Sequence, residues 1–576
     1  MLRNHLHLLV LTLLISLAAC QAEEIEAELD HDELASEVYE EGPPLLGEDG
    51  KEDRFGAGLL AYAELPMDAD FDAPLQVLFA PDDPVTTLEI TMIERVKFAR
   101  QTDERTFGDG ENPYKIRYAA YNLRNPDILE KLGDAHEAGV DVRVLIEARQ
   151  LDPEKPWNIA DTYLAERGFE IYPDQRELSA AEKDRPGSLI GIRGPGLMHF
   201  KTRLFETPEG TSLLTGSLNP GDNAVLNEET LHLITDEHVV ARYQDAYERI
   251  LHGQAFENEW HGERAVNVLF TPSSRGMRAG TQILRWLEEE QEQILIMVFS
   301  LRNLTADGID GSLVDILGAK VRQGVPVYVI TDRKQSDGVD ANGNRLMWDD
   351  PTEDLLRAAG VPVYEAINYA GEFNAMHHKV AVLGKTRTRV ITDASNWTLA
   401  GLGGKGRPAK NLESVLFIDS KRLDDNRTGR RYIAQWARVL SRYADQSVEV
   451  DGERPFDAVY ADLTASPLWP SQDVHFTARA QTEFGESVRA VGNTPELGNW
   501  DEGPGVELLT DYHNYPHWRT RAPTPMPLGL SFEWKLIARH ADTGAVRWEG
   551  GDNRDGFVQS GALVPDPHVD LSAEWR

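Results

Sequence analysis

From about residue 71 onward the chain alternates short, almost wholly apolar runs with longer stretches of mixed polarity. Runs such as Leu75-Gln-Val-Leu-Phe-Ala-Pro81 and Val266-Asn-Val-Leu-Phe-Thr-Pro272 are too short for buried helices, so they predict strands covered on both faces. The stretches between such runs, Asp127 to Ala138 and Leu313 to Gln323 among them, predict helices. Strand and helix in alternation describe an α/β architecture. After a Pro-containing linker over 448–470 the pattern changes. Val474 to Ala480, Ser487 to Gly492, Trp518 to Ala522, Leu530 to Arg539 and Ala545 to Glu549 read as short strands between turn signals, which predicts a small all-β sandwich over 471–576.

The α/β part repeats itself. Besides the pair already quoted, Ala119-Ala-Tyr-Asn-Leu-Arg124 is echoed by Met297-Val-Phe-Ser-Leu-Arg302. Glu137-Ala-Gly-Val-Asp-Val-Arg-Val-Leu-Ile146 is echoed by Arg322-Gln-Gly-Val-Pro-Val-Tyr-Val-Ile330. The three echoes keep their order and lie roughly 180 to 190 residues apart. Two copies of one α/β unit, over 71–258 and 262–447, follow from that order.

The chain opens differently. Arg3 precedes an apolar run from Leu8 to Leu17, too short to span a bilayer, which predicts an export signal over 1–19. Leu17-Ala18-Ala19-Cys20 resembles a bacterial lipobox, which implies that Cys20, the single cysteine of the chain, is lipidated and tethers the protein to a membrane. Gln21 after it resembles the sorting pattern of outer-membrane lipoproteins. Residues 20–70 are dense in Glu and Asp and poor in large apolar groups, the composition of a solvated tether. Overall, 96 acidic residues face 58 basic ones in a 576-residue chain, a formal charge of −38. That balance argues against nucleic acid as a partner and against adsorption through a polybasic surface. One cysteine excludes a disulfide scaffold.

Chemistry concentrates in two corresponding places. Met198-His199-Phe200-Lys201 is followed by Thr215-Gly216-Ser217-Leu218-Asn219 and Asn227-Glu228-Glu229. Met376-His377-His378-Lys379 is followed by Thr392-Asp393-Ala394-Ser395-Asn396 and Asn411-Leu412-Glu413. With 16 histidines in 576 residues, chance supplies fewer than one His-x-Lys triplet, so a pair at matching places in a repeat carries information. Residues two apart on a strand share a face, so each His and Lys point together while His378 faces away, against a His377/His378 metal pair. Two imidazoles, two ammonium groups and two amides suit an anionic centre. No metal-ligand cluster or Gly-rich nucleotide loop stands out, and no cofactor is expected.

These residues resemble the phospholipase D superfamily, marked by a doubled H-x-K-x(4)-D with a downstream G-S-x-N. The resemblance implies a duplicated α/β sandwich whose halves meet about a pseudo-two-fold axis to build one site. It implies His199 as nucleophile, His377 as acid/base, Lys201, Lys379, Asn219 and Asn396 around the phosphoryl oxygens, and Glu229 and Glu413 orienting the imidazoles. Glu206 and Gly384 stand where the family has its Asp, and Gly216-Ser217 becomes Asp393-Ala394 in the second copy. A lipid phosphodiester is the expected substrate, with a nuclease of the same fold and an inert glucan-binding protein as alternatives.

At the other end, Val491-Gly-Asn-Thr-Pro-Glu-Leu-Gly-Asn-Trp500, Phe532-Glu-Trp-Lys-Leu-Ile537 and Val546-Arg-Trp-Glu-Gly-Gly-Asp-Asn-Arg554 resemble the starch-binding modules of carbohydrate-binding family 20. That resemblance implies an α-glucan partner, with Trp500 and Trp548 stacking on glucose rings and Lys535 and Asn553 meeting hydroxyls. Trp518 and Trp534 read as core residues. Arg489 replaces the first aromatic of the family's second sugar site, to which Tyr512 or Tyr515 would supply the other ring.

Overall fold

The computed structural model describes residues 65, 71–107, 112–152, 158–221, 224–338, 350–366, 375–442, 471–503, 505–527, 530–558 and 568–576. The export signal, Cys20, the acidic segment apart from Leu65, and the linker 448–470 lie outside the described residues.

The strand-like runs do form sheets, and the duplication shows in their order. Across an eight-stranded sheet the strands run Leu75–Ala80, Glu229–Ile234, Gly210–Gly216, Lys201–Thr207, Lys115–Ala120, Asp141–Glu147, Ser188–Ile192 and Glu170–Tyr172. Across a seven-stranded sheet they run Val266–Thr271, Glu413–Asp419, Arg389–Asp393, Lys379–Leu383, Ile294–Val298, Val327–Asp332 and Val363–Ala366. Each repeated motif occupies the same station in its sheet. Helices start where local chemistry starts them. The Asn125 side chain accepts from the backbone N–H groups of Asp127 and Ile128 ahead of helix Pro126–Glu137, and Ser312 with Asp315 closes a reciprocal cap on helix Leu313–Arg322.

Helices cover both sheets on their outer faces, with Leu88, Met92, Leu129 and Leu132 packed on the first and Ile283, Leu287 and Leu317 on the second. Between the sheets lie two long helices, Glu237–His252 from the first half and Arg427–Arg442 from the second. Tyr243, Tyr247, Tyr432 and Trp436 on these helices share one buried cluster with Phe79, Phe200, Met297 and Leu416 from the strands of both sheets. The two halves therefore bury one core in common, and neither inner face is complete alone.

Residues 471–576 form a separate all-β unit. Its strands include Ser471–Arg479, Glu486–Gly492, His517–Thr520, Ser531–His540 and Val546–Trp548, close to the predicted runs. Val506–Leu509, Thr524–Pro527 and Arg554–Phe557 are further strands that the hydropathy pattern did not reveal. Trp518 and Trp534 are buried in its core beside Phe476 and Leu536.

Candidate active site

Each His-x-Lys pair sits where a central strand begins. Lys201 opens strand Lys201–Thr207 and Lys379 opens strand Lys379–Leu383, so each histidine occupies the chain just before the ladder starts. There the halves are stitched together by backbone. The His199 N–H donates to the Leu412 carbonyl at 3.0 Å and the Leu412 N–H to the Leu197 carbonyl at 2.8 Å. In the mirror arrangement, the His377 N–H donates to Glu228 at 3.0 Å and the Glu228 N–H to Ala375 at 3.1 Å. Asn411 and Asn227 add one side-chain bond each, accepting from the N–H groups of Leu197 and Ala375 at 3.0 Å.

This stitching delivers a carboxylate to each imidazole from the opposite half. His199 Nδ1 lies 2.8 Å from Glu413 Oε2, and His377 Nδ1 lies 2.7 Å from Glu229 Oε1. All four side chains are buried. A carboxylate oxygen accepts, so Nδ1 of each ring is the nitrogen that donates to it, and Nε2 is the ring's other nitrogen. The lysines are fixed alongside. Lys201 Nζ donates to the His199 carbonyl at 3.2 Å and Lys379 Nζ to that of His377 at 2.9 Å. Asn219 and Asn396 are buried three residues past the ends of strands Gly210–Gly216 and Arg389–Asp393, which pair with the lysine strands and finish level with the lysines. The Oδ1 atoms of both asparagines, and Glu229 Oε2 and Glu413 Oε1, have no hydrogen-bond partner among the described residues.

Other contributors escaped the sequence reading. Tyr121 and Phe299 stand roughly T-shaped to the His199 and His377 imidazoles, with ring centroids 5.3 and 4.7 Å apart, and the Lys201 and Lys379 ammonium groups lie 5.5 and 5.1 Å from the centroids of the same aromatic rings. Their signal was present in the second echo, where both aromatics directly follow a strand. Glu147 and Asp332 accept from the N–H groups of Met198 and Met376 at 2.6 and 2.9 Å, which orients the peptides leading into the histidines. Burial pushes the Asp332 carboxyl up to about 6. His378 faces away from the site, with Nδ1 2.8 Å from the Thr230 hydroxyl, and burial holds its imidazole far below its ordinary pKa and neutral. Among the described residues no group of three or more His, Cys, Asp or Glu side chains is arranged to hold a metal ion.

The two departures from the His-x-Lys motif fall at the far ends of its strands, about 17 Å beyond the lysines at 3.3 to 3.4 Å per residue. Glu206 pairs there with Lys115 and Thr211 in the ladder. Gly384 opens the turn to the next strand at φ +84°, where a Cβ would stand 2.3 Å from the Arg387 carbonyl oxygen. Glu292 serves that turn instead, accepting from the N–H groups of Lys385 and Thr386 at 2.6 and 2.8 Å.

In the C-terminal unit Trp500 and Trp548 stand with ring centroids 6.4 Å apart at 43°, and Trp548 is 39% exposed. Glu502, which the sequence reading did not single out, accepts from the Trp548 indole N–H at 2.8 Å. Lys535 donates to the Gly551 carbonyl and Asn553 to Glu533, each at 2.7 Å. Arg489 reaches from strand Glu486–Gly492 to the segment before Val506, donating to the carbonyls of Gly503 and Gly505 at 2.9 and 3.2 Å, while Tyr512 is fully open to solvent.

A duplicated sheet that joins two His-Lys pairs through crossed carboxylates defines a class of protein, and sequence comparison places the chain within it. Residues 112–251 and 283–433 match the family described as cardiolipin synthase, PLD-like domain, and the chain belongs to that family. Residues 471–564 match the starch binding domain family. Glucan 1,4-alpha-maltotetraohydrolase of Roseateles saccharophilus is 42% identical over 83 residues, 14% of each chain. The chain spans about one seventh of the length of the curated relatives it matches. Among solved structures, the family 20 module of the maltotetraose-forming amylase from Pseudomonas saccharophila STB07 is 35% identical, covering 18% of this chain and 99% of that one at a TM-score of 0.15. A phospholipase D family member, Nuc from Salmonella typhimurium, is 19% identical, covering 32% and 97% at 0.22.

Proposed function

We propose that the protein hydrolyses a phosphodiester, with phospholipid as the substrate, through a phosphohistidine intermediate, and that its C-terminal module binds α-glucan. The observation that carries this reading is the crossed pairing of His199 with Glu413 and His377 with Glu229. Each half supplies an imidazole whose Nδ1 is engaged by a carboxylate of the other half, which reserves Nε2 for the chemistry: one ring reacts with Nε2 unprotonated and the other with Nε2 protonated. A neutral imidazole avoids the repulsion that an anionic nucleophile meets at a phosphodiester. One Nε2 attacks phosphorus as the P–O bond to the leaving group breaks, and the opposite imidazolium gives that alkoxide its proton. The same imidazole then takes a proton from water as the N–P bond is hydrolysed. Lys201, Lys379 and the amide N–H groups of Asn219 and Asn396 hold the non-bridging oxygens as charge gathers on them. A lipid anchor at Cys20 would keep this chemistry at a membrane surface, which favours a lipid substrate.

For the module, the exposed Trp548 beside Trp500 supports stacking against the C–H face of glucose. Incubation of the purified protein with phosphatidylcholine or phosphatidylethanolamine vesicles should release choline or ethanolamine, and His199→Ala should abolish the release. Degradation of DNA with phospholipid spared would replace the lipid substrate by a nucleic acid. Equal inertness of wild type and variant on every diester would leave a glucan-binding protein.

A further inference from the structure

The two halves of the site match group for group, with one difference in charge at its base. The strand beside Lys201 ends in Gly216, and the corresponding strand beside Lys379 ends in Asp393. Backbone at both places is left-handed in φ, +155° at Gly216 and +109° at Asp393, a conformation that favours glycine. An aspartate there is held against its local preference.

Its surroundings show what holds it. Asp393 is 1% exposed, and its carboxyl reaches across into the first half. Oδ1 accepts from the Thr215 hydroxyl at 3.0 Å and Oδ2 from the Tyr243 hydroxyl on the first long helix. From strand Glu413–Asp419, where Asp393 pairs with Val415, the side chains of Ser414 and Glu413 face it. Tyr432 faces it from the second long helix. Among the described residues no cation forms an ion pair with it. The symmetry mate of Glu413 has no such companion. Beside Glu229 the matching place is Gly216, and the adjacent acid, Glu228, is in an ion pair with Arg442. The carboxyls Glu147 and Asp332 stand at matching places, one in each half, with Asp332 raised by burial to about 6.

We infer that Asp393 is a positioning residue that acts through Glu413 to make His199 the better of the two imidazoles at holding positive charge. This deepens the reaction proposed above and rests on it. Whichever part His199 plays, its ring becomes cationic, protonated on Nε2 as the acid or phosphorylated there with Nδ1–H retained as the nucleophile. A second carboxylate behind Glu413 lowers the energy of either cation. Burial pushes the Asp393 carboxyl up to about 6, so this second charge is present above that pH and lost below it.

The test compares Asp393→Asn, which keeps shape and removes charge, with Asp393→Gly, which installs the residue of the first half. Rates on a chromogenic aryl phosphodiester are followed from pH 5 to 8. Both variants should keep the wild-type melting temperature or exceed it. Both should lose at least about tenfold in kcat/KM at pH 7.5, the scale of one charge about 12 Å away at an effective dielectric of about 20. In both, the fall in rate that wild type shows near pH 6 should become shallower, the remainder belonging to Asp332, which burial also raises to about 6. Thr215→Val with Tyr243→Phe keeps the charge but removes its hydrogen bonds, and should move that fall to higher pH. Variant profiles that superimpose on wild type would overturn the inference and leave Asp393 a structural residue. Should wild type cleave no diester, the reaction itself fails. Histidine-resolved NMR titration then still decides the coupling, with His199 expected to titrate at lower pH in Asp393→Asn and an unchanged curve refuting it.

Discussion

Restoring the motif carboxylate at position 384 should damage the protein. Gly384→Asp places a Cβ at φ +84°, 2.3 Å from the Arg387 carbonyl oxygen and 3.2 Å from its carbon. Both atoms belong to backbone, so relief requires the turn itself to shift. The left-handed conformation alone costs about 1–2 kcal/mol for an L-residue. The contact adds more, and the new carboxylate also arrives beside Glu292, whose Oε2 lies 3.6 Å from that Cβ. Two like charges near 4 Å repel by about 1 kcal/mol in a water-like surrounding. The sum is about 3 kcal/mol of lost stability. Urea unfolding followed by tryptophan fluorescence reads it as a fall in midpoint at unchanged slope. Gly384→Ala separates the contributions, since it keeps the steric and conformational cost and omits the repulsion. The difference between the two variants should shrink in high salt. Stability of Gly384→Asp within about 0.5 kcal/mol of wild type would refute the reasoning, because surface changes without strain fall in that range. The family carboxylate would then be absent for some reason other than the turn.

Glu229→Gln keeps an acceptor for His377 but removes its charge. The loss of a charge-assisted bond, about 1–2 kcal/mol, should lower kcat/KM roughly 5- to 30-fold, with Glu413→Gln similar and unchanged rates in both counting against the crossed pairing. Asp332 lies with its folded pKa raised by burial to about 6 from 3.8, so the folded state binds a proton that the unfolded state releases between those values. Stability from this group is therefore full below pH 4 and lost as pH rises through 6. Asp332→Asn should gain on wild type by roughly 3 kcal/mol across that window, and parallel stability curves would contradict the assignment. Trp548→Ala should abolish retention on an amylose column while the module stays folded, since Trp548 lies outside the buried core of the module. Trp518→Ala, by contrast, empties a core position whose indole N–H donates to the Ala480 carbonyl at 3.0 Å, and should destabilise the module by about 3–5 kcal/mol.

Local pattern carries a great deal here because the elements are short and strongly marked. Apolar runs such as Ile294–Val298 are strands, Asn125 and Ser312 stand at helix starts, and three ordered echoes disclose two sheets with the same strand order apart from the extra edge strand Glu170–Tyr172 of the first. The C-terminal all-β unit is legible for the same reason, apart from edge strands such as Thr524–Pro527, where prolines interrupt the alternation. Trp500, Trp548, the two His-x-Lys pairs and the downstream amides and carboxylates are all visible as residues.

What linear order does not contain is which carboxylate serves which imidazole. Glu229 follows His199 in the chain, yet it bonds to His377, and Glu413 follows His377 yet bonds to His199. That exchange exists only because the backbone at Leu412 and Glu228 crosses between the halves. The T-shaped contacts of Tyr121 and Phe299, the turn that forbids a side chain at 384 and the burial of Asp393 between Thr215 and Tyr243 likewise belong to packing. Composition and periodicity determine which segments become strands and helices, since those preferences act over a few neighbours. Contacts between residues some 150 to 210 positions apart are set by the shared core of the two halves, and only the folded chain brings them within reach.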